Sequence, residues 1–224
     1  MDEMVAHDMP GRRARKRAQT LDLLAQTAMG LFEAQGFDAV TMEQIAAEAD
    51  VAKGTLYNHF PTKESVLAHW IHMQLAADLA HLQPEVERQA SFRSALALLL
   101  DASAAWCEGH RAYLLPYLRF RFLSLEAAPP AQEAIEPVEP GGASDMTDVF
   151  GLLIGQGQRS GELRHDFDAA HLASLFHHLY LGALMRWLTL PGLTLREEFA
   201  AVVTLFVEGS ARPRAPRPRS RKTP

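Results

Sequence analysis

The chain has 224 residues, 48% hydrophobic and 22% charged, enough to bury the core of one large domain or two small ones. No apolar run reaches the roughly 18 to 20 residues of a membrane span, and the N-terminal MDEMVAHDMPGRRARKR lacks the apolar stretch of a signal peptide. A cytoplasmic protein without membrane contact is therefore expected, nucleoid-associated if it binds DNA, and the single cysteine, Cys107, excludes an intramolecular disulfide framework. The net charge of −5 conceals a separation of signs: Arg12, Arg13, Arg15, Lys16 and Arg17 cluster near one end, and Arg212, Arg214, Arg217, Arg219, Arg221 and Lys222 at the other. The middle of the chain is acidic and would repel phosphate, which leaves any contact with nucleic acid to the ends.

From Leu21, the apolar residues Leu24, Ala28, Leu31 and Phe32 recur at helical spacing until Gly36, a residue suited to a left-handed C-terminal cap. Thr41 and Gln44 have the spacing of a capping box, which predicts a short helix over Met42 to Ala49. Asp50-Val51 makes a turn and Lys53 to Phe60 a third helix, with Leu56 and Phe60 on its inner face. Its outer face then carries Lys53, Thr55, Tyr57, Asn58 and His59, every one able to donate to a phosphate or a base edge and none an acid. In a helix-turn-helix the first short helix braces the second, whose exposed face enters the major groove.

The rest reads as helix, without period-two alternation. Helix four is expected from Lys63 to about Leu82, ended by Pro84, helix five from Ser91 to Cys107 and helix six from His110 to Leu125. The run Ala127 to Gly142 (AAPPAQEAIEPVEPGG) has the composition of a mobile loop. Helix seven follows from Ala143 to Ser160, helix eight from Asp168 to Thr189 and helix nine from Thr194 to near Gly209. The expected class is all-α with about nine helices. An N-terminal arm occupies residues 1–13, a three-helix DNA-binding domain 14–62, a larger helical domain 63–210, and a disordered Arg/Pro tail 211–224.

The string TMEQIAAEADVAKGTLYNHFPTK from Thr41 to Lys63 resembles the DNA-binding signature of the TetR family of bacterial regulators. The preceding LFEAQGF from Leu31 and the following Glu64-Ser65-Val66-Leu67 match its flanks. The close match covers about residues 14 to 67; beyond it the likeness is architectural. The resemblance implies a ligand-responsive regulator of double-stranded operator DNA, most simply a repressor released by a small hydrophobic or aromatic effector, with an activator as the alternative. It also implies that Thr41, Lys53, Tyr57, His59 and Lys63 contact phosphates, that Thr55 and Asn58 lie nearest the bases, and that Gly54 permits close approach to the DNA backbone. Two departures stand out: Asp50 where the family's turn usually has glycine, and Ala52 where it has a Ser or Thr cap. Asp tolerates the left-handed conformation better than most residues, whereas the missing cap hydroxyl is worth roughly 1 kcal/mol.

Helix eight carries a wide apolar stripe, and the family resemblance implies that helices eight and nine pair with a second copy. Leu172, Phe176, Leu179, Tyr180, Ala183, Trp187, Val202 and Phe206 are the expected interface of a homodimer. Trp70, Trp106, Tyr113, Tyr117, Phe120 and Phe150 are the candidate effector-binding residues, although aromatics at helical spacing also suit ordinary core. His69 with His72, His177 with His178, and Cys107 with His110 are near pairs, but none completes a metal set, and no cofactor is expected. No Gly-rich phosphate loop or nucleophile elbow supports a helical-bundle enzyme. A dimeric interaction protein without DNA binding has only Asp50 and Ala52 in its favour.

Overall fold

The computed structural model describes residues 12–123 and 146–210, which form nine α-helices and no strand. They are α1 (Arg12–Gln35), α2 (Met42–Glu48), α3 (Lys53–His59), α4 (Lys63–Glu87), α5 (Phe92–Gly109), α6 (Arg111–Leu123), α7 (Met146–Arg159), α8 (Ala169–Thr189) and α9 (Leu195–Ser210). The expected N-terminal arm up to residue 11, the Pro-rich loop at 127–142 and the Arg/Pro tail at 211–224 lie outside the described residues. No helix among those described is long and apolar enough to cross a membrane.

Two helices differ from expectation. α1 begins at Arg12, nine residues before the apolar repeat at Leu21, so Arg15, Lys16 and Arg17 are exposed helical residues. Periodicity marks only the buried part of a helix; Arg, Lys, Ala and Gln are good helix formers and extend it without a core to face. α4 runs through Pro84 to Glu87. A proline so near the C-terminus deprives a single exposed turn of one donor, a small loss compared with one in mid-helix.

The described residues divide into two compact units, one of residues 12–80 with 111–123 and one of 81–110 with 146–210. In the first, Leu24, Ala25, Ala28 and Phe32 of α1 are buried with Ile45 and Ala46 of α2 and Leu56 of α3. α1 stops at Gly36, whose φ of 85° needs no Cβ relief and whose N–H donates to the Phe32 carbonyl at 2.9 Å. α2 is framed by local chemistry at both ends. The Thr41 hydroxyl accepts from Gln44 N–H at 3.2 Å while Thr41 N–H donates to Gln44 Oε1 at 2.8 Å, completing the capping box. Beyond its end, Asp50 has a φ of 52°, and Asp50 and Val51 N–H return to the carbonyls of Ala47 and Ala46 at 3.2 and 3.0 Å.

The second unit packs α5, α7, α8 and α9 around Leu96, Leu100, Phe150, Ile154, Phe176 and Phe199, all at most 2% exposed. Asp168 caps α8 by accepting from Ala170 and His171 N–H, and Glu162 accepts from Phe92 N–H at the start of α5 at 3.0 Å. Of the residues expected at a dimer interface, Leu172, Phe176, Tyr180, Ala183, Trp187 and Phe206 are buried within this unit, Phe176 against Phe150 and Phe206, and Tyr180 stacked on Phe199. Val202 is half-buried, and Leu179 is exposed together with Leu175 on α8 and Leu205 on α9. The apolar stripe is thus largely intramolecular core, because periodicity tells that a face is buried and not what buries it.

Candidate nucleic-acid interface

α3 begins after Ala52, whose backbone has the extended geometry of a cap (φ −64°, ψ 142°) but whose side chain supplies no cap bond. Leu56 and Phe60 turn inward, at 0% and 2% exposure, and anchor the helix. Lys53, Gly54, Thr55, Tyr57 and Asn58 are consequently exposed on the opposite side, a contiguous polar face of a cation, two hydroxyl groups and an amide. A Cβ built on Gly54 would meet nothing within 4 Å, so at this point the surface is open. His59 is half-buried at the edge of this face; its Nδ1 is buried without a hydrogen-bond partner. Burial, then the positive charge of Arg17 on α1, hold its pKa below the ordinary imidazole value, so the ring is neutral near pH 7.

Thr41 lies at the exposed start of α2, with its hydroxyl oxygen engaged in the capping box. Lys63 is placed differently from the other expected phosphate ligands. Its Nζ donates to the carbonyls of Phe37, Asp38 and Val40 at 2.8, 3.3 and 3.3 Å and lies 4.5 Å from the centre of the Phe37 ring. Of the basic cluster, Arg15, Lys16 and Arg17 are exposed on α1, while the side chains of Arg12 and Arg13 lie outside the description.

One acid belongs to this surface that sequence reasoning did not include. Glu43, in the first turn of α2, places Oε1 3.7 Å from Lys53 Nζ and accepts from the Tyr57 hydroxyl at 3.4 Å. Desolvation and, next, the Glu43 charge raise the Tyr57 pKa above the usual phenol range. The outer face of α3 contains no acid, but the crossing of α2 over α3 brings one to it.

The candidate effector residues divide between the units. In the first, Trp70 is buried on α4, and on α6 Tyr113, Tyr117 and Phe120 are half-buried, with Tyr117 hydroxyl 3.2 Å from His72 Nε2. In the second, Phe150 is fully buried, edge-on to Phe176 and Tyr180, and Trp106 stacks on His110 at 4.3 Å between ring centres. The histidines are absorbed in pairwise contacts: His69 with Asp22 at 3.0 Å, His72 with Tyr117, and His177 with the Thr147 hydroxyl at 2.9 Å. Among the described residues no three His, Cys, Asp or Glu side chains gather as a metal site would need.

Comparison with known proteins agrees with this geometry. Residues 24–69, which contain the second half of α1, all of α2 and α3, and the start of α4, match the family described as bacterial regulatory proteins, tetR family. The chain is 35% identical over 107 residues to the HTH-type transcriptional regulator TcmR of Streptomyces glaucescens, a match covering 45% of this chain and 47% of that protein. The chain therefore spans about half the length of that relative. It is 24% identical over 187 residues to the HTH-type transcriptional repressor KstR of Mycobacterium tuberculosis, covering 78% of this chain and 71% of the repressor. Among solved structures, Thermus thermophilus FadR, a TetR-family transcriptional repressor crystallised with lauroyl-CoA, superimposes with a TM-score of 0.72 at 26% identity, over 88% of this chain and 98% of FadR. The polar face of α3, the helix-turn-helix that presents it and these matches together identify residues 24–69 as a DNA-binding segment of the tetR family of bacterial regulatory proteins, carried on a chain with the fold of the repressor FadR.

Proposed function

We propose that the protein is an operator-binding repressor that acts as a homodimer and leaves DNA when a hydrophobic small molecule binds. The observation that carries DNA binding is the outer face of α3, where Lys53, Thr55, Tyr57 and Asn58 stand exposed without a neighbouring acid on their own helix. Lys53 and Tyr57 are suited to phosphates and Thr55 and Asn58 to base edges, Asn with the bidentate geometry that recognises adenine. One such head contacts few bases, and a twofold dimer doubles the site. Leu175 and Leu179 on α8 and Leu205 on α9, at 48%, 45% and 70% exposure, are the apolar side chains available for that dimer. The Arg186–Glu198 pair at 2.7 Å bridges the same two helices.

For the effector, KstR and FadR are named as repressors and FadR holds an acyl-CoA, which supports repression and an acyl-chain ligand as the first class to try. The test is selection of bound DNA from genomic fragments, followed by titration of the selected site with acyl-CoA thioesters of graded length against free CoA. The reading requires a palindromic motif, lost affinity in Lys53→Ala and Tyr57→Ala with the dimer intact, and release by an acylated but not by free CoA. Normal affinity in both variants would sink the assignment of α3; release by neither thiol nor thioester would sink the effector class.

A further inference from the structure

We infer that Lys63 is a positioning residue that locks the reading head to α4, and that it makes no phosphate contact of its own. The inference rests on the DNA-binding reading for its consequence but not for its geometry. α1 ends without a basic residue in its last turn, so the negative end of its dipole and the carbonyls that follow it lack a cation. Lys63, the first residue of α4, supplies one from 23 to 26 residues away, its ammonium donating to the Phe37, Asp38 and Val40 carbonyls. The three donors of an ammonium match three acceptors, and the Phe37 ring 4.5 Å from the charge closes the site with a cation–π contact. A lysine so engaged has no donor left for a phosphate unless the turn is dismantled.

The surrounding contacts serve the same joint. Thr62 and Ser65 cap the start of α4 reciprocally, Ser65 N–H on Thr62 Oγ1 at 3.2 Å and Thr62 N–H on Ser65 Oγ at 3.3 Å, fixing the point from which Lys63 departs. Two turns on, His69 meets Asp22 of α1 at 3.0 Å and lies edge-on to Phe60, the residue that closes α3. Lys63 thus ties α4 to the α1–α2 turn and His69 ties it to α1, so the first two turns of α4 belong mechanically to the head. Force applied to α4 reaches α2 through the Phe37–Val40 segment, whose carbonyls Lys63 holds.

Two measurements test this. In free protein, competitive acetylation read by mass spectrometry should modify Lys63 at least about tenfold more slowly than exposed Lys53. A Lys63 that reacts as fast as Lys53 and is protected only by added DNA would overturn the tether. On the selected operator, Lys63→Met should weaken binding about tenfold with an unchanged slope of log K against log salt, whereas Lys53→Ala should reduce that slope by about 1 per protomer. Phe37→Leu, which removes the ring and touches no DNA-facing residue, should lower affinity in wild type and have a smaller effect in the Lys63→Met background. A slope reduced by Lys63→Met, or additive losses in the double variant, would make Lys63 a phosphate ligand. Failure of the wild type to bind any selected DNA would refute the proposed function and leave the acetylation result to decide the tether.

Discussion

Tyr57, on the helix that would enter the groove, donates its hydroxyl at 3.4 Å to Glu43 on the helix that braces it. The same carboxylate oxygen lies 3.7 Å from Lys53, so one exposed acid holds both of the foremost candidate phosphate ligands in the free protein. When the head meets DNA, phosphate competes with Glu43 for these groups and is itself repelled by the acid. Glu43→Gln keeps an acceptor for Tyr57 and removes the charge. It should raise affinity for operator and for unrelated DNA by a few-fold, as expected for an exposed pair, with the gain fading as salt rises. Fluorescence anisotropy at two salt concentrations measures it. A loss of affinity would mean that Glu43 orients Lys53 and Tyr57 more than it opposes their targets.

Asp50 and Ala52 together make the turn between α2 and α3 less stable than it could be. Asp50 sits at a φ of 52°, where glycine is free of Cβ strain, and Ala52 leaves the first N–H groups of α3 without a side-chain acceptor. Asp50→Gly and Ala52→Ser should each stabilise the protein, the second by about 1 kcal/mol, which corresponds to a rise in Tm of roughly 2 to 4 °C for a chain of this size. Calorimetry of the single and double variants checks this. No change in either would show that the head unfolds separately from the transition observed or that water already satisfies α3.

What could be read from the sequence here had a range of about four residues. Gly36, the Thr41–Gln44 box and Asp50 as a left-handed residue are local devices, each complete within one turn, and each is present in the structure. The outward side of α3 was legible because two large residues, Leu56 and Phe60, fix the inward side. What escaped depends on which helices cross. Glu43 reaches Tyr57 over 14 residues, and Lys63 reaches Phe37 over 26. Nothing in the spacing of either pair distinguishes a partner from a solvated charge. The stripe on α8 was visible as apolar, but its division between Phe176, packed inside, and Leu179, left outside, is set by α7 and α9.

That division separates two kinds of variant. Leu175→Glu with Leu205→Glu places charge on side chains that are 48% and 70% exposed in the protomer, so the fold should keep its denaturation midpoint measured at low protein concentration. The dimer should dissociate, since an unpaired charge in an apolar interface costs several kcal/mol. Phe176→Ala, by contrast, empties a fully buried site between Phe150 and Phe206 and should destabilise the protomer by about 3 to 5 kcal/mol. Sedimentation velocity and urea denaturation distinguish the outcomes. A dimer that survives both glutamates would place the interface elsewhere.

The lone thiol gives a pH-dependent test of the second unit. Cys107 is 2% exposed, and burial pushes its pKa up from 9.0 to about 11, although the Tyr180 hydroxyl 3.9 Å away and the Ser103 hydroxyl favour the thiolate. The folded state therefore binds this proton more tightly than the unfolded chain. The stability it contributes is complete below pH 9 and is lost as pH rises through about 11. Between pH 8 and 11 the wild type should lose about 2 kcal/mol relative to Cys107→Ala, which has no thiol to ionise. At pH 8 alkylation by iodoacetamide should be at least a hundredfold slower than in urea, because reaction needs both the thiolate and access to it. Equal rates with and without urea would show that α5, α7 and α8 open around Cys107 in the native state and that its burial does not govern its chemistry.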